Sequence, residues 1–172
     1  MRYLTAALAV TFLLGACAGG GPSVTETGKG RPQVSVEFPQ QTEPGEVYDA
    51  VLTISNPGPG DMNTIAVAFA TIAPTPGARE MPLPLIGPGR NETNPSIVSI
   101  QPEPSGVSTD AVVFTFREID GAPRLPQGES IEIRFSIRVP VTAGVAGASV
   151  QVYDGQEIDR ASGVRLQTSV GR

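Results

Sequence analysis

Ile131-Glu132-Ile133-Arg134-Phe135-Ser136-Ile137-Arg138-Val139 is the stretch whose reading decides the fold. On an extended chain Ile131, Ile133, Phe135, Ile137 and Val139 point to one side, and Glu132, Arg134, Ser136 and Arg138 to the other. On a helix the same residues would scatter around the cylinder, because helical neighbours recur every 3.6 positions rather than every second one. The alternation therefore predicts a β-strand with one face in a core and one in water. Leu125-Pro126-Gln127-Gly128 leads into it. There Pro126 presets the φ of a turn's second residue and Gly128 suits its fourth, so the strand starts cleanly.

The same period of two runs outward through the chain. Val34, Val36 and Phe38 alternate with Ser35 and Glu37, and Ala50, Leu52 and Ile54 alternate with Asp49, Val51 and Thr53. Thr64–Ala73 is a longer apolar run rich in β-branched residues. Ser96–Ile100, Ala111–Arg117, Ser149–Tyr153 and Val164–Ser169 complete the set, with Val112, Phe114 and Phe116 on one face of their strand. Breakers separate the strands: Asn56-Pro57-Gly58-Pro59-Gly60, Pro74-Thr75-Pro76-Gly77 and the 125–128 turn. With 17 prolines in 172 residues and no window of helical periodicity, helices are excluded as the main element. The expectation is an all-β, antiparallel sandwich of seven or eight strands spanning residues 33–172. Pro74–Pro95 is expected to form a long irregular connection.

Two segments carry a family resemblance. Tyr48-Asp49-Ala50-Val51-Leu52-Thr53-Ile54-Ser55-Asn56-Pro57-Gly58 resembles the second strand of bacterial Ig-like conserved-repeat domains of the cell-adhesion-related type, which ends in Asn followed by Pro or Thr and Gly. Leu125-Pro126-Gln127-Gly128-Glu129 resembles the turn before the penultimate strand of those domains. The resemblance implies an Ig-like fold and an envelope-exposed interaction or spacer module, here as one copy. The Pro74–Pro95 connection and the segment after Tyr153 depart from the pattern.

The first 32 residues have a different character. Met1-Arg2-Tyr3 carries one positive charge, and Leu4–Leu14 is apolar apart from Thr5 and Thr11. About eleven residues is too short for the ~20 that a membrane-spanning helix needs, so residues 1–16 read as a cleaved export signal. Leu14-Gly15-Ala16-Cys17 resembles the lipobox of bacterial lipoprotein precursors. In those precursors the signal peptidase recognises the three residues before the cysteine, and the cysteine sulfur receives a diacylglyceryl group. Cys17 is the one cysteine of the chain, so no intramolecular disulfide competes for it. Ala18–Pro32, rich in Gly, Ser and Thr, reads as a flexible tether reaching on the order of 20 Å. Ala18 rather than Asp after the cysteine resembles the outer-membrane sorting pattern. The protein is thus expected to be exported and held on a membrane through acylated Cys17, on the periplasmic side of the outer membrane in a double-membraned cell. In a cell with one membrane it would sit on the outer face of that membrane.

The remaining composition narrows the chemistry. Seventeen acidic residues outnumber twelve basic ones for a net charge of −5, and removal of residues 1–16 takes away a further positive charge, Arg2. That sign disfavours nucleic acid, whose phosphates require clustered positive charge. The chain has no His, which removes the usual general base, Ser-His triads and His-based zinc sites together. Lys29, the one lysine, lies in the tether. Asp154, Glu157 and Asp159 share one short loop and form a weak candidate set of oxygen ligands for Ca²⁺. Asp154-Gly155 is more simply a tight turn with positive φ at the glycine. No cofactor and no catalytic residue is expected. Asn91-Glu92-Thr93 matches a glycosylation sequon and reads as a loop.

The functional expectation is a lipid-anchored envelope module without catalytic activity, binding an envelope protein partner or spacing it from the membrane. Sheet edges, or the charged outer face of Ile131–Val139, would supply the contact. An assembly factor or chaperone for exported proteins is the first alternative. A Ca-binding or hydrolytic protein using loop carboxylates is the second.

Overall fold

The computed structural model describes residues 31–71, 80–83, 96–109, 112–155 and 157–171. Among these the chain forms β-strands and one short 3-10 turn. The strands are β1 (Gln33–Glu37), β2 (Gln41–Thr42), β3 (Val47–Ser55), β4 (Ile65–Thr71), β5 (Glu80–Pro82) and β6 (Ile97–Gln101). There follow β7 (Gly106–Val107), β8 (Val113–Phe116), β9 (Ser130–Arg138), β10 (Gly144–Asp154) and β11 (Ser162–Val170), with the 3-10 turn at Ile158–Arg160.

Two sheets result. One has the order β1-β3-β9-β6, the other β2-β11-β10-β4-β8-β7, with β5 added beside β10. The first reproduces the A-B-E-D order of an immunoglobulin sandwich and β4-β10-β11 the C-F-G order. β8 lies beside β4, where variable-type domains add a further strand. The fold is therefore a β-sandwich, as the alternation implied, and Ig-like in strand order, as the resemblance implied.

Strand β9 holds the centre of its sheet, pairing along its whole length with β3 from Val47↔Arg138 to Ser55↔Ser130. Its inward residues Ile133, Phe135 and Ile137 are completely buried. Phe135 meets Phe69 of β4 edge-on at a centroid distance of 4.9 Å and Phe114 of β8 at 5.7 Å. These three rings join the sheets, and Leu52, Ile65, Val150 and Leu166 are also completely buried. Full burial of each such side chain contributes about 1.5–3 kcal/mol.

The structure adds to the expected pattern in three places. β2, β5 and β7 are only two or three residues long, too short for any alternation to announce them. β2 and β5 also pair in parallel, with β11 and β10 respectively, so the sandwich is antiparallel with two short parallel additions. β5 falls inside the segment expected to be wholly irregular. The rest of Pro74–Pro95 and the Asn91 sequon lie outside the described residues. Finally, β10 begins at Gly144 and not at Ser149. Gly144, Ala146, Gly147 and Ala148 have weak β-propensity, but nine register pairs with β11, Gly144↔Val170 through Val152↔Ser162, hold them extended.

The registers fix two poles. The first gathers the end of β3, the starts of β1, β4, β9 and β11, and the end of β10. The second gathers the Glu43–Glu46 turn and the connection after β9, joined by Gly45 N donating to Pro140 O at 3.3 Å and Val139 N to Glu46 O at 3.0 Å.

Candidate functional site

The two segments that carry the Ig-like resemblance meet at the first pole. Asn56, only 5 % exposed, ends β3 where the alternating sequence gives way to Pro and Gly. Its Nδ2 donates to Gly60 O at 2.9 Å and to Leu125 O at 3.1 Å, and its Oδ1 accepts from Gly58 N at 3.0 Å. Its backbone N donates to Glu129 O (2.9 Å) and its O accepts from Gly128 N (2.7 Å). From the opposite turn, Gln127 Oε1 accepts from Gly60 N at 3.2 Å and Gln127 N donates to Asp61 Oδ1 at 2.8 Å. Gly58 has φ +90°, and a Cβ there would lie 2.5 Å from Gln127 Nε2. One buried amide thus satisfies the polar backbone of two turns 69 residues apart, which explains why that residue type follows the strand.

Beside this junction lies the loop singled out for its carboxylates. Gly155 adopts φ +54° and its N donates to Thr64 O at 2.9 Å, so Asp154-Gly155 is the turn that its sequence suggests. Glu157 pairs with Arg160 at 3.1 Å across the 3-10 turn. Asp159 lies in that same 3-10 turn, and its carbonyl accepts from Arg31 Nη2 at 3.2 Å. Asp154 is partly buried. Desolvation pushes its carboxyl above the usual carboxylate value and the nearby Glu157 charge adds to this, against a backbone hydrogen bond with Thr64 that pulls it down. Among the described residues no three of His, Cys, Asp or Glu stand so as to hold a metal ion. The charges of Asp154 and Glu157 thus act on one another and Glu157 is paired with Arg160, but the three loop neighbours do not form one ligand set.

Asn56, Pro59, Asp61, Met62, Asp154 and Glu157 line a depression of about 440 Å³ at this pole. Its polar groups are mostly engaged, by Gly58, Gly60, Leu125, Gln127 and Arg160 as above. A second depression, of about 510 Å³, opens at the opposite pole between Gln41, Thr42, Tyr48 and Ser169. There Thr42 and Thr168 share a buried hydroxyl hydrogen bond at 3.1 Å, and Tyr48 OH accepts from Glu43 N at 2.9 Å. Sequence reasoning missed this second place. Its one signal is Thr168, a polar residue at the inward position between Leu166 and Val170.

The outer face of β9 is the third candidate. Arg134 Nη1 meets Asp49 Oδ2 at 3.3 Å, Ser136 Oγ donates to Asp49 Oδ1 at 2.8 Å, and Ser99 Oγ donates to Ser136 Oγ at 2.9 Å. Both members of the ion pair are about half exposed, so it contributes ~0–1 kcal/mol. The lipobox residues Leu14, Gly15, Ala16 and Cys17 lie outside the described residues. Within the described residues no helix is long and apolar enough to cross a membrane.

No protein-family model matches the chain, and no curated protein matches its sequence. Among solved structures it is similar to the PapD-like domain 7 (ASH / PapD-like) of human CEP192, at 13 % identity over 96 % of each chain with a TM-score of 0.38. It is similar also to the human F-spondin reeler domain. One structure of that domain matches at 12 % identity over 84 % of this chain and 95 % of that one, with a TM-score of 0.41. The other matches at 14 % over 86 % of each, with a TM-score of 0.38. Superpositions this loose carry no argument about function, and the Ig-like assignment rests on the strand order itself.

Proposed function

We propose that this protein is a lipid-anchored envelope module: a β-sandwich, tethered through acylated Cys17, that engages another envelope protein by its surface and performs no catalysis. The observation that carries the reading is the opening run, a charged start, eleven mostly apolar residues and Leu14-Gly15-Ala16 before the one cysteine of the chain. Two or more acyl chains give stable attachment where one is marginal, at ~0.8 kcal/mol per buried methylene. The non-catalytic part is supported by the composition, which holds no His to serve as general base.

Recognition then falls to the surface. β1 and β6 are the edges of the four-stranded sheet, and an edge strand offers alternate N–H and C=O groups for strand addition. Chemical cross-linking in intact cells, followed by mass identification, is the test. One stoichiometric envelope partner is the expected result. A spread of unfolded exported clients would favour an assembly chaperone, and hydrolytic activity lost with a single carboxylate substitution would overturn the reading.

A further inference from the structure

The chain enters the sandwich at a defined place. β1 starts at Gln33 opposite Ser55 at the first pole, and two residues earlier the Arg31 guanidinium holds the carbonyl of Asp159 at 3.2 Å. The tether therefore joins the domain at the pole of Asn56–Asp61 and Ile158–Arg160, beside the 3-10 turn and away from the second pole. As the flexible tether that their Gly-, Ser- and Thr-rich sequence suggests, residues 18–30 would have a mean reach on the order of 20 Å. Strand β3, nine residues from the second pole to the first, spans roughly 26 Å at ~3.3 Å per residue.

We propose that the anchored domain stands with the Ile158–Arg160 pole toward the bilayer and the Gly45–Val141 pole outward. The proposal rests on lipid attachment at Cys17. Inverting the domain would lift the attachment point beyond the mean reach of the tether and stretch it at a cost in entropy. The chain is acidic overall, and on the outer face of β9 Arg134 is paired with Asp49, so that face is no polybasic patch to draw the side of the sandwich onto anionic lipid.

The test uses the full acylated chain, extracted from membranes and reconstituted into phosphatidylcholine vesicles that carry a headgroup energy-transfer acceptor. A donor dye is placed at Ile158→Cys or at Val141→Cys, positions 60 % and 81 % exposed. Transfer should be more efficient from position 158 than from 141. Equal or reversed efficiencies in protein that floats with the vesicles would overturn the orientation and leave the anchor standing. Protein that carries no acyl group and does not float would overturn the anchor and the orientation together.

Discussion

Asn56 makes three side-chain hydrogen bonds to backbone groups of two different turns. Asn56→Ala would leave the buried Gly58 N without its acceptor and remove the Nδ2 bonds to Gly60 O and Leu125 O, and should cost roughly 1–3 kcal/mol in a denaturant titration. Ser162 presents the reverse case. It is 2 % exposed, and its Oγ has no hydrogen-bond partner among the described residues. Ser162→Ala removes that desolvated hydroxyl and should stabilise the domain by about 1 kcal/mol in the same measurement. Asp154 links stability to pH. Because burial raises its carboxyl above the ordinary 3.8, the folded chain binds a proton at a pH where the unfolded chain has lost it. Stability then falls as pH rises from about 3.8 through the raised value. Asp154→Asn should therefore match the wild type in thermal unfolding at pH 3 and melt modestly higher at pH 7. The identity of Asn56 was visible in sequence, but its partner turn was not. Nothing local connects residue 56 with residue 125, and only the registers of β3 and β9 bring them together.

At the scale of elements, strands with strict alternation and charged outer positions were the legible ones, because a one-residue slip would bury Glu132 or Arg134. β9, β3 and β1 fall where their patterns lie. β2, β5 and β7 were illegible because two or three residues hold no period, and their pairing comes from the neighbouring strand. β10 was legible only in its second half, since Gly144–Ala148 pack small side chains under a register imposed by β11. The candidate sites were legible as residue types and not as geometry. Asp154, Glu157 and Asp159 are close in sequence and the first two line one depression, yet Arg160 pairs with Glu157 and the three do not form one ligand set. The weight of β9 is measurable. Phe135→Ala removes the ring that touches both Phe69 and Phe114 and should cost about 3–5 kcal/mol in unfolding free energy.

For the whole molecule, the described sandwich receives the chain at the pole where Asn56 ties two turns together. In the proposed reading its place of work is set by residues 1–17, and everything proposed about partners depends on that attachment. Intact-mass analysis of the mature protein extracted from membranes, beside a Cys17→Ser variant, is the most direct measurement. The account predicts a mature chain that starts at Cys17 and carries at least two acyl chains. It also predicts a Cys17→Ser protein that has lost the acyl mass and left the membrane fraction. An unacylated mature chain, or a Cys17→Ser variant that fractionates as the wild type does, would contradict it.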